Sequence, residues 1–161
     1  MKQNFKTTIS IISLLIILIT ACSKGGDSST TPTPTTSKAT LLTSSDWNIA
    51  GIQHKAVSAT VWTDDYASLA ACVKDNKVVY RASGSYESSE GATKCSSSDP
   101  QILETGTWSL TTNETILVVQ ATNGTQIYNA TIETLTINSL IISFTNVSNG
   151  VTNQYRYSFS H

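Results

Sequence analysis

Beyond residue 45 the chain alternates apolar and polar residues in short runs, with turn-forming residues between the runs. In Asp46–His54, Trp47 and Ile49 fall on one face. Lys77–Arg81 and Ser85–Glu87 flank Ser83-Gly84, which predicts a hairpin with Tyr80 and Tyr86 as partners. Glu104–Leu110 puts Trp108 and Leu110 on one side, with Gly106 on the same face leaving room. Thr112-Asn113 turns the chain into the apolar run Ile116–Val119. Asn123-Gly124 suits a tight hairpin, because both central residues of such a turn need positive φ. Tyr128, Ala130 and Ile132 alternate in a strand reaching Leu135, and Leu140, Ile142 and Phe144 share a face of Leu140–Val147. After Asn149-Gly150, the last strand sets Val151, Tyr155, Tyr157 and Phe159 against Gln154, Arg156 and Ser158.

These runs make eight strands. Period-two alternation with one polar face is the mark of antiparallel sheet. An up-and-down meander can close on itself and so remove its exposed edges. A sandwich is the alternative, and the meander spacing favours the barrel. The predicted fold class is therefore all-β, an eight-stranded antiparallel up-and-down barrel with one short helix between the first two strands. That helix is expected over Thr63–Ala71, where Thr63 can cap it and Asp64 and Asp65 complement its positive end. Tyr66, Leu69 and Ala70 would form its apolar stripe.

The first forty residues follow other rules. Lys2 and Lys6 precede an apolar run from Ile9 to Ile19, about half the ~20 residues that a membrane-spanning helix needs, which fits a secretory signal. Ile19-Thr20-Ala21-Cys22 resembles the bacterial lipobox, in which small residues precede a cysteine whose thiol takes diacylglycerol through a thioether. Residues 1–21 are thus read as a lipoprotein signal peptide and Cys22 as the lipidation site. Its acyl chains, palmitate among them, would anchor the protein at ~0.8 kcal/mol per buried CH₂. Ser23 rather than Asp follows the cysteine, so the expected location is the cell envelope, with the outer membrane favoured over the inner. Residues 22–40, rich in Ser, Thr, Pro and Gly, are read as a disordered tether, and residues 41–161 as the domain.

Charge changes the picture by exclusion. Removing residues 1–21 leaves eight basic and eleven acidic residues, a net of −3, and no basic stripe, so no nucleic acid is expected as a partner. With Cys22 assigned to lipid, Cys72 and Cys95 remain as a pair, and an oxidising envelope favours a disulfide between them.

Catalytic candidates are few, and no enzyme activity, metal or cofactor is expected. Of the two histidines, His54 reads as a rim residue at the end of a strand and His161 lies at the terminus. Asp64, Asp65 and Asp99 could contribute to a calcium site, but without the alternating acids of a calcium loop. Glu87 and Glu90 could be paired acids for glycoside chemistry, though solvating an outer strand edge explains them more simply. Trp47, Tyr80, Tyr86, Trp108, Tyr155, Tyr157 and Phe159 should point inward, either as plain core or as the lining of a pocket, with Trp47, Trp108 and Tyr155 at a deep cavity.

Several segments carry a family resemblance: Leu41-Leu42-Thr43, Leu69-Ala70-Ala71-Cys72-Val73-Lys74-Asp75, Glu90-Gly91-Ala92-Thr93-Lys94-Cys95, Asp99-Pro100 and Glu104-Thr105-Gly106-Thr107-Trp108-Ser109-Leu110. The chain resembles the lipocalin-like lipoproteins common in Bacteroidetes-type bacteria. It departs from lipocalins proper at Ser45-Asp46-Trp47, which lacks the glycine two residues before the first-strand tryptophan. The resemblance implies a lipocalin-like barrel without a general assigned ligand. The expected partners are the membrane through Cys22 and a small hydrophobic ligand. The alternative is an envelope protein docking on a structural lipoprotein with a filled barrel.

Overall fold

The computed structural model describes residues 36–122, 127–148 and 150–161. The signal segment, Cys22, most of the tether and the Asn123-Gly124 turn lie outside them. Nine strands follow: β1 Trp47–Ala56, β2 Thr63–Asp64, β3 Lys77–Tyr80, β4 Ser85–Ser89, β5 Ile102–Thr111, β6 Ile116–Ala121, β7 Ile127–Leu135, β8 Ser139–Ser148 and β9 Val151–Ser160. Each strand from β3 to β9 pairs antiparallel with the next, and β9 returns to β1 from Asn48↔Ser160 to Ala56↔Asn153. The expected eight-stranded meander is therefore a closed barrel, with β2 as an additional strand.

The reason for β2 is the shortness of β3, which meets β1 only at Trp47 and Asn48. Further along, the free edge of β1 at Gln53 and His54 is taken by Asp64 and Thr63. This pairing also corrects the expected helix. Thr63–Asp64 is strand, Tyr66–Ser68 is a 3₁₀ turn, and the helix α2 is confined to Ala71–Lys74. Thr63, expected as the cap, lies in the strand, and the two acids expected to complement the helix start serve other partners: Asp64 accepts from the Tyr66 amide at 2.9 Å where the 3₁₀ turn begins, and Asp65 contacts His54. Local propensity yields here to the pairing demand of an open strand edge.

One end of the barrel is sealed. A short helix, α1 (Lys38–Leu42), starts within the expected tether, capped by Ser37, whose hydroxyl accepts from the Thr40 amide at 3.1 Å. It drives Leu42 to full burial against Trp47, whose indole N–H donates to Leu42 O at 2.9 Å. His161, at the terminus, lies with its ring 4.0 Å from that of Trp47. Trp108 Nε1 donates to Arg81 O at 2.9 Å beside the β3–β4 turn. The β5–β6 turn at this end holds Thr112, Asn113 and Glu114 at φ of 54°, 54° and 60°, a left-handed conformation that costs L-residues roughly 1–2 kcal/mol each. Lys38 Nζ donates to Glu114 O at 2.9 Å and so docks α1 on this turn.

Gly106 answers to backbone rather than to interior space. A Cβ there would stand 2.1 Å from Gln120 O on β6. Elsewhere, the disulfide Cys72–Cys95 ties α2 to the β4–β5 loop, as the cysteine count predicted. The Asp75 carboxylate reinforces it by accepting from Thr93 N at 2.9 Å and Thr93 Oγ1 at 2.8 Å. The Thr93 hydroxyl holds the Asp75 carboxyl below the usual range.

Candidate functional site: the barrel cavity

Inward residues follow the pleat, and their size decides where the barrel is full. Around Trp47, Leu117, Leu140 and Leu42 the interior is fully buried side chain. Beyond that plug the interior opens into a cavity of about 270 Å³. Its apolar wall includes Ile49, Val78, Leu117, Val119, Ala130 and Ile142; its aromatic wall is Tyr80, Tyr86, Tyr128, Phe144, Tyr157 and Phe159. Ser88 and Glu104 complete it.

The aromatic wall is built by cross-strand pairs. Tyr80 opposes Tyr86 in the β3–β4 hairpin, as expected, with ring centroids 5.6 Å apart. Phe144 meets Tyr128 edge-on at 6.1 Å, Tyr157 edge-on at 5.3 Å and Tyr155 stacked at 5.6 Å. Such offset and edge arrangements hold rings in fixed positions. Burial pushes the phenols of Tyr80 and Tyr86 far above their ordinary value, and raises those of Tyr128 and Tyr157. The carboxylate of Glu104 adds to the rise at Tyr86 and Tyr128.

Glu104 itself was missed in the sequence. It stands opposite Ser88 and two residues from Gly106, which opposes Tyr86, so strand parity sends Glu104, Gly106, Trp108 and Leu110 to one side. Its charge obscured a position that the alternation had already assigned indoors. Ser88 was missed for the same reason, being polar and two residues after Tyr86.

The other candidates scatter. All three residues expected at a deep cavity lie elsewhere than in its lining: Trp47 and Trp108 belong to the sealed end, and Tyr155 stacks on Phe144 near His54. His54 Nδ1 lies 2.6 Å from the Asp65 carboxylate, both about one-third exposed, which fits a rim position within β1 rather than at its end. Asp99 accepts from the Ser96 amide in its own loop, away from Asp64 and Asp65. Among the described residues no three of His, Cys, Asp and Glu gather as a metal site. Glu87 faces outward to Arg81 at 3.3 Å. Glu90 corrects the expectation of a solvated edge: it is buried, and the Asn76 amide, oriented to satisfy its neighbours, donates to Glu90 Oε2 at 2.9 Å and to Cys72 O at 3.0 Å. Cys22 lies outside the described residues.

Comparison with known proteins returns one family: the lipocalin-like domain matches residues 46–142, more than half of the chain. No curated protein matches it.

Proposed function

Because this chain belongs to the lipocalin-like domain family, we propose that it is a binding protein of the cell envelope whose barrel holds a small, largely hydrophobic molecule. The observation that carries this is the aromatic-lined cavity of about 270 Å³ above a sealed floor. Its volume is near the lower end of ligand clefts, roughly 300–1,000 Å³, which suits a molecule of one or two rings. A tightly packed interior, as the filled-barrel alternative requires, would leave no such space.

The same proposal places the protein on a membrane, with the outer membrane favoured. It is held there by acyl chains on Cys22 after removal of residues 1–21. The lipobox and the signal pattern support this, and the Cys72–Cys95 disulfide accords with an oxidising compartment. The tether then lets the domain stand in water while the lipid holds the bilayer. Protein partners on the barrel exterior form no part of this reading.

Two experiments test it. Native mass spectrometry of the protein taken from its own membranes should show a co-purifying small molecule. A clean apoprotein that also fails to take up an apolar fluorescent probe would remove the carrier role. In cell fractionation, the Cys22→Ser variant should move from membranes to the soluble envelope fraction, and its retention in membranes would remove the anchor.

A further inference from the structure

Resting on the reading of the cavity as a ligand site, we infer that its preferred ligand carries a positive charge: a small organic ammonium ion with an aryl or short alkyl body. Among the described residues that line the cavity, Glu104 is the one acid, and no lysine, arginine or histidine accompanies it. The ion pairs among the described residues are His54–Asp65, Arg81–Glu87 and Arg156–Glu133, and none of them includes Glu104. Glu104 is half-buried and the Tyr86 hydroxyl donates to it, so the carboxylate is held in place with a neutral partner. A ligand that brings a cation supplies the opposite charge that the lining lacks.

The rings around it favour the same charge. Tyr86 and Tyr128 feel the Glu104 charge directly, and Phe144, edge-on to Tyr128, and Tyr157 belong to the same lining. Aromatic faces attract ammonium groups, most strongly where water is excluded. Carboxylate and ring faces therefore act together on one cation, with the Tyr86 and Ser88 hydroxyls as further acceptors within the lining. An anionic ligand such as a fatty acid would meet Glu104 as a like charge. A volume of about 270 Å³ also leaves little room for a long chain.

The test compares 2-phenylethylamine with its neutral analogue 2-phenylethanol by isothermal titration calorimetry. The full chain is held in phosphatidylcholine nanodiscs, and empty discs serve as the blank. The amine should bind about tenfold or more tightly than the alcohol. Glu104→Gln should weaken the amine and bring the two within about threefold, the rings alone accounting for what preference remains. Equal binding of the two by the unaltered protein overturns the charge inference and leaves the ligand cavity standing; an amine preference of about tenfold kept undiminished in Glu104→Gln overturns the assignment of the cation to Glu104. Binding of neither, together with failure of the apolar probe, overturns both readings. The comparison on the unaltered protein needs no variant to fold.

Discussion

The two halves of this barrel are made from the same alternation and end in opposite states. At the α1 end, large side chains meet in layers: Trp47 under Leu42, then Leu117 and Leu140, all fully buried. Toward the other end, small Ala130 and Ser88 sit among rings that pack against the wall, and about 270 Å³ is left. The difference lies in side-chain volume and in what closes the end. α1, the β5–β6 turn and His161 close one end, while short β3 and β4 leave the other to the two-residue β2, α2 and the disulfide-tied loop. Large side chains thus fill the plug completely, and the hollow end is bounded by short elements.

Alkali should produce the largest effect. The phenols of Tyr80, Tyr86 and Tyr157 are raised chiefly by burial. A group whose folded pKa lies above its unfolded value near 10 contributes stability fully below about pH 10, and that contribution is lost as the pH climbs toward the raised values. Tyrosinate absorbance and far-ultraviolet circular dichroism should therefore change together above about pH 10. Ionisation of all the tyrosines at ordinary pKa in a folded barrel would contradict the burial of these rings.

Next comes the plug. Trp47→Ala should cost about 3–5 kcal/mol in denaturant unfolding. At temperatures where the variant remains folded, it should take up the apolar probe with little change, because Trp47 is not in the cavity lining. Loss of probe binding in a folded variant would show that the two halves are coupled. Replacing Cys72 and Cys95 together by Ser should cost roughly 3 kcal/mol for a separation of 23 residues. Hydrogen exchange should speed up in α2 and the β4–β5 loop before it does in β5–β9.

The smallest effect is expected at the floor. Thr112→Gly relieves a β-branched residue at φ 54° and should raise stability by up to about 1 kcal/mol. A loss of stability there would mean that the threonine side chain contributes more than its backbone strain costs.

The sequence made the difference between inside and outside legible, and little about height along the barrel. Period two assigned Trp47, Trp108 and Tyr155 inward, yet it carries no information on strand stagger, which decides whether an inward ring meets the plug or the cavity. Tyr80 and Tyr86 were legible as a pair because one turn fixes their register. Glu104 was equally legible by parity and was lost because a charged residue in a strand is ordinarily a solvent-facing one. The segment Thr63–Ala71 shows the converse. Its local signals for a helix are real, but the unpaired edge of β1 left by a four-residue β3 outweighs them. The disulfide needed only counting.

The claim that the hollow half is the binding half is tested most directly by methyl NMR during titration with 2-phenylethylamine. Shifts should concentrate on Ile49, Val78, Val119 and Ile142 of the cavity wall and leave Leu42 and the exposed methyls of Val57, Val61 and Val151 unmoved. Shifts confined to the exposed valines, or none at saturating amine, would contradict it.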